Sequence, residues 1–358
     1  MDSLPQSRVA NSQPAGIGPI VSLGARCAWN NLGRNIVFAD ASLRPLAIFG
    51  DTVFPEDDEA SQFDLDVHAI VEQADTGKVA VVNHLGSVSI FDPPRSIRPG
   101  LGLGPNLDAE RRLDFVDDVE RVVVLGDRLV TSRPRGRRLG GVLVTEPIAS
   151  ARRCLNSSTA QESFGFVTAL AARSTPGSTG WVALGGEGRV RLVEADGGRL
   201  GASQWETTVD FACAALVASG SSLWAAGSAL GGSGVDDYDW GQLGGGGLAQ
   251  IDLASGVVVS SARFGGDLAW GSGGDALVVV GGVPCGVGRY GELHALFPGA
   301  QTTTRLTGGL APQPLGIAHA AVVGGQLVFG FNRGGYRLHT MPLRTINQLV
   351  RRLPARRA

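Results

Sequence analysis

The sequence predicts an all-β chain of repeated antiparallel units, finished by one short amphipathic helix. Three observations carry that expectation. Glycine is the outlier of the composition, at 53 of 358 residues, and it costs about 0.5–1 kcal/mol relative to Ala inside a helix, so this many glycines belong in turns. The glycines follow no collagen period and sit beside runs of Val, Leu and Ala, the pattern of short strands joined by hairpins. A unit of strand, Gly turn, apolar strand, second turn and third strand then recurs along the chain.

The clearest copy is HAIVEQADTGKVAVVNHLGSVSIFD, residues 68–92. The same unit reads through 27–50, 168–195 and 319–341. Looser copies occupy 122–147 and 269–296, and another starts at Cys213 and ends, after a long insertion, in GGLAQIDL (246–253). Segments such as GVVVSSARF (256–264) and TTTRLT (302–307) offer a fourth strand after the third.

Four-stranded units at roughly 40–50 residue spacing resemble the blades of a β-propeller. Seven copies resemble a seven-bladed β-propeller of four-stranded antiparallel blades, WD40-like or YVTN-like in repeat pattern. No copy ends in the Trp-Asp of WD40 repeats; the nearest endings are Phe91-Asp92 and Ile251-Asp252. The division expected is a flexible N-terminal segment (1–16), the propeller (17–343), and a C-terminal helix with a basic tail (344–358). GPIVSL (18–23) is expected to supply the fourth strand of the last blade and close the ring.

The resemblance implies that each first strand lines a central channel. It also implies that second-to-third loops share one face with the inter-blade connections. The first-to-second turns read as short (LGR, DTGK, LGD, GGQ), and the second-to-third loops as longer and richer, including SRPRGRRLGG, GSALGGSGVDDYDWGQLGGGG, GGVPCGVGRYG and GFNRGGY. Binding loops on a rigid scaffold concentrate in this way. The partner-binding residues expected there are Tyr238, Trp240, Arg289, Tyr290, Asn332, Arg333 and Tyr336, aromatics as anchors and arginines as bidentate clamps.

Aligning the copies puts Cys27, His68, Thr168, Cys213 and His319 at the start of the channel strand. His68 and His319, with Asn83 and His84, are the candidates for a ligand at the channel mouth. Their ordinary use is local hydrogen bonding, since a buried polar group needs a partner. The favoured function is therefore a non-enzymatic scaffold for a protein partner. The alternative is a small-ligand binder or a hydrolase or lyase using that mouth.

Other motifs weigh less. GVGRYG (286–291) matches G-x-G-x-x-G, but the alternating strand ELHALF follows it where a dinucleotide fold needs a helix. DDYDW (236–240) lacks the Gly and Glu of an EF-hand loop. No G-x-S-x-G, H-E-x-x-H or P-loop occurs, and neither metal nor cofactor is expected. RPRGRR (133–138) and PEDDEA (55–60) are opposed charged loops that suit protein docking better than nucleic acid.

The net charge of −2 gives no reason to expect a nucleic-acid partner. The four cysteines are far apart and form no CxxC, so reduced buried thiols are expected. The N-terminus has no apolar h-region, and the expected location is cytoplasmic. In LRTINQLVRRLPARRA (343–358), Ile346, Leu349, Val350 and Leu353 fall on one helical stripe. That helix is expected to pack on the outer wall; contact with a partner or a membrane surface through 344–358 is its other use.

Overall fold

The computed structural model describes residues 16–24, 26–31, 35–49, 67–73, 76–83, 87–93, 111–115, 119, 121–132, 141–151, 154–155, 157–161, 164, 166–175, 178–196, 199–230, 246–264, 268, 276–297, 303–313, 315–316, 318–332 and 337–353. Among them the strands form six sheets, each ordered along the chain. The first holds Ile17–Leu23, Arg26–Asn31, Asn35–Asp40 and Pro45–Phe49. The second holds Val67–Glu72, Val79–Asn83, Ser87–Phe91 and Arg111–Phe115, with Cys154–Leu155 added in parallel to the last of these. Arg121–Leu125, Arg128–Ser132, Val142–Thr145 and Ser157–Gln161 make the third.

The fourth sheet has six strands: Ala169–Thr175, Ser178–Asp196, Arg199–Ser219, Ser222–Ala229, Gly246–Asp252 and Val258–Phe264. Its two long strands change partner midway. Ser178–Gly185 pairs with the strand before it, and Arg189–Asp196 with the first half of Arg199–Ser219. The rest of that strand pairs with Ser222–Ala229. A straight strand would separate Val182 from Val193 by about 36 Å at ~3.3 Å per residue, yet both lie in one core cluster. The chain therefore doubles back near Gly188, whose φ of 73° is a conformation that glycine accepts without strain. The six strands are thus two four-stranded units joined without a break.

The fifth sheet comprises Leu277–Val280, Val283–Val287, Leu293–Ala295 and Thr304–Arg305, and the sixth Ala318–Val323, Gln326–Phe331 and His339–Pro342. Among the described residues no sheet closes on itself, and the sheets are joined by packing between them. The two-residue period of a strand sends alternate side chains to opposite faces, and both faces here are covered. In Val79–Asn83, Val79 and Val81 join the core shared with the first sheet, while Ala80 and Val82 join that shared with the third. Further clusters join the third sheet to the fourth, the halves of the fourth to each other, and its second half to the fifth and sixth. The last places Val323 and Val328 of the sixth sheet against Ile17, Ile20 and Trp29 of the first. The cores close a cycle.

This arrangement corrects three expectations. GPIVSL does not complete the last sheet: Ile17–Leu23 hydrogen-bonds to Arg26–Asn31 and leads the first sheet. Cys27 consequently sits on a second strand, not a channel strand, and LGR (32–34) joins second to third strands. The physical reason is that IGPIVSL reads as well as a leading strand as it does as a closing one. The sixth sheet has three strands among the described residues, followed by the helix Leu343–Arg352.

That helix buries Ile346 in the core of the fourth to sixth sheets, with Leu343 and Val350 packed beside it. Asn347 lies against the Gly281 turn. The helix therefore covers the end of the molecule that carries the first hairpins, leaving Arg344, Arg351 and Arg352 exposed. No helix among the described residues is long and apolar enough to cross a membrane.

Candidate interaction face

Strand direction sorts the connections onto two faces. One face carries the first-to-second hairpins, which turn in two residues at 126–127, 220–221, 281–282 and 324–325. Gly324 and Gly325 have φ of 54° and 78°, the type I′ geometry that matches strand twist and demands positive φ at both positions. The other face carries the second-to-third loops and the links that lead into each sheet.

At this second face the leading strands are laced together. The Thr168 hydroxyl donates to the Cys213 carbonyl at 2.5 Å, and the Thr168 carbonyl accepts from Arg121 Nε at 2.9 Å. Arg121, Thr168 and Cys213 belong to three successive units, so the alignment of Thr168 with Cys213 marks a true common level. Arg121 is 7% exposed, and its hydrogen bond satisfies a buried cation as burial requires.

The loop 288–292 of this face joins Val283–Val287 to Leu293–Ala295. Gly291 N–H closes it onto the Gly288 carbonyl at 3.0 Å, and Gly288 N–H donates to the Glu292 carbonyl at 2.7 Å. The Tyr290 N–H donates to Glu292 Oε2 at 2.9 Å. Its carbonyl accepts from Leu310 N–H at 2.7 Å and Ala311 N–H at 3.3 Å, and the Arg289 carbonyl accepts from Leu315 N–H at 2.8 Å. Every side of the loop is tied, while the Tyr290 ring stays outside at 41% exposure.

Glu292 is the keystone. It is buried, and a Cβ on Gly288 would approach its Oε1 to 2.7 Å, so only glycine leaves the carboxylate its place. His294 Nε2 lies 3.2 Å from Oε1, too far off axis for a directed hydrogen bond, and its Nδ1 is 2.7 Å from the Thr303 hydroxyl. Sequence reading singled out none of Glu292, His294 and Thr303. The available signal was the alternation in ELH: Leu293 enters the core, and Glu292 and His294 fall together on the opposite side.

Of the residues expected from sequence, Arg289 and Tyr290 sit in this loop and Asn332 directly follows Gln326–Phe331 on the same face. His319 is buried in the leading strand Ala318–Val323, its backbone paired with Gly330. His68 and Asn83 lie on Val67–Glu72 and Val79–Asn83, their side chains outside the description. Tyr238, Trp240, His84, Arg333 and Tyr336, with the charged loops at 55–60 and 133–138, lie outside the described residues. The G-x-G-x-x-G match is a hairpin between Val283–Val287 and Leu293–Ala295, without the helix a pyrophosphate needs.

The thiols of Cys27, Cys213 and Cys285 are buried. Burial pushes Cys27, Cys213 and Cys285 up to about 12, with Asp40 adding to the effect at Cys27. Burial, then Arg337, holds His339 below the usual imidazole range. Among the described residues no group of three or more His, Cys, Asp or Glu side chains gathers to hold a metal.

No family model and no curated protein matches the chain. Among solved structures it is similar to BamB from Moraxella catarrhalis, at 11% sequence identity and a TM-score of 0.48, over 91% of this chain and 84% of that one. A likeness this loose assigns neither family nor function.

Proposed function

We propose that the chain is a seven-bladed β-propeller serving as a non-enzymatic scaffold, and that it binds a protein partner through the face of the second-to-third loops. The cycle of inter-sheet cores, with the fourth sheet counted as two units, supports seven blades. The observation that carries the function is the placement of exposed apolar side chains. Phe166, Leu230, Tyr290 and Leu310 are 41–46% exposed, and all four belong to connections of that one face. Exposed aromatic and aliphatic groups gathered on a rigid face mark interaction sites. Among the described residues the two other large exposed apolar side chains are Val257 and Val259, at the outermost strand of the fourth sheet. Arg121 and Thr168, at the channel end, are committed to inter-strand hydrogen bonds, the use expected of a structural channel wall.

Arg289, Tyr290 and Asn332 are the described members of the proposed contact surface, and Tyr238, Trp240, Arg333 and Tyr336 complete it from the same set of loops. Cross-linked partner capture from native cells tests the assignment. Joint substitution of Phe166, Leu230, Tyr290 and Leu310 by Ser is expected to release partners that survive the Val257→Ser/Val259→Ser control. Partners retained by the first variant and lost by the second would place the interface elsewhere.

A further inference from the structure

Tyr290, Leu310 and Arg305 form one contiguous patch. The Leu310 side chain closes over Gly291, where a Cβ would come within 2.7 Å of its Cδ1. Gly309 is flanked on one side by the Tyr290 Cβ, 3.3 Å from the position of a Gly309 Cβ, and on the other by a terminal nitrogen of Arg305, 3.5 Å from it. Arg305 is exposed, and its Nε–H donates to the Thr307 carbonyl at 2.7 Å, which fixes the orientation of the guanidinium beside the two apolar side chains.

Charge decides what such a patch accepts. Between residues 286 and 316 the sequence has two arginines, Arg289 and Arg305, and one carboxylate, Glu292. That carboxylate is buried and holds the Tyr290 N–H, so it does not stand at the surface beside the exposed Arg305. The surface of this stretch is therefore apolar and basic. Preorganisation adds to its fitness as an anchor. The Tyr290 backbone is fixed on both sides by hydrogen bonds, and a ring with few torsions on a fixed backbone loses little freedom when it is covered.

We infer that this patch receives an acidic peptide segment of a protein partner. One carboxylate of the segment meets the Arg305 guanidinium, whose fork matches it bidentately, and an adjacent aliphatic or aromatic residue lies against Tyr290 and Leu310. The inference rests on the scaffold reading and adds to it the chemistry of the occupant and the place where it lands.

Panning a random-peptide phage library against the whole protein tests it, with enriched sequences remeasured as synthetic peptides by fluorescence anisotropy. The expected sequences pair Asp or Glu with an aliphatic or aromatic residue, and their affinity falls as salt rises. Tyr290→Ala is expected to weaken them about tenfold or more, as loss of an interface anchor does. Arg305→Glu is expected to abolish binding and Arg305→Lys to retain part of it, with unchanged circular dichroism in each variant. If Tyr290→Ala fails to fold, Tyr290→Ser/Leu310→Ser read beside Arg305→Glu serves in its place.

Enrichment of basic or uncharged peptides overturns the inference, as does the absence of any binder above an unrelated control protein. Acidic peptides that ignore the Tyr290 and Arg305 substitutions overturn it too, while the scaffold reading stands if they are displaced by the Phe166 and Leu230 variants. The scaffold reading itself falls only with the partner-capture experiment.

Discussion

Gly288→Ala is the sharpest probe of the loop that displays Tyr290. The added methyl would lie 2.7 Å from Glu292 Oε1 and 2.8 Å from its Cγ, closer than side-chain atoms pack. The carboxylate is the part able to give way. It would leave the Tyr290 N–H, a charge-assisted hydrogen bond of about 1.5–3 kcal/mol, and the crowding would add about 1 kcal/mol or more. The sum is a loss of about 2.5–4 kcal/mol. Urea unfolding of the variant reads that loss directly.

A double-mutant cycle isolates the cause. Glu292→Ala removes the obstacle, so Gly288→Ala in that background is expected to cost less than about 1 kcal/mol, a coupling of more than 1 kcal/mol between the two positions. Additive effects, or a single Gly288→Ala variant within about 0.5 kcal/mol of the parent, would refute the view that this glycine exists to house the buried carboxylate.

Two further outcomes follow from the packing. Thr168→Val removes the hydroxyl that links the fourth and fifth units and is expected to cost about 1 kcal/mol in urea unfolding, with the Arg121 hydrogen bond to the Thr168 carbonyl preserved. Cys27, Cys213 and Cys285 are raised from 9.0 to about 12 by burial. Between those values the unfolded thiols release protons that the folded ones keep, so the unfolded state binds fewer protons and stability falls as pH rises from 9.0 toward 12. Each of the three thiols adds to that fall across the window. At neutral pH, residue-resolved alkylation is expected to find all three protected until the chain unfolds.

Much of the fold was legible because it depends on period. The units at 68–92, 168–195 and 319–341 each correspond to three observed strands, since alternation and Gly hairpins are properties of adjacent residues. The first-to-second hairpins at 126–127 and 324–325 were legible for the same reason, since their Gly turns are written in the sequence. The lead strand of the first unit was not, because IGPIVSL carries no mark distinguishing an opening strand from a closing one. Nor was Cys154–Leu155, whose parallel pairing with Arg111–Phe115 depends on a contact distant in sequence. At the candidate site, Tyr290 and Arg289 were readable as loop residues. Glu292 was not, since a buried carboxylate at a loop root looks in sequence like any exposed one until Gly288 and Tyr290 are seen closing around it.

The central claim, that the face of the second-to-third loops is the platform, is tested most directly by hydrogen–deuterium exchange of the protein with and without its captured partner. The account predicts protection at 166–168, 288–292 and 306–316 on binding, with the hairpins at 281–282 and 324–325 unchanged. Protection confined to those hairpins and to the helix Leu343–Arg352, with the Tyr290 loop unaffected, would contradict it.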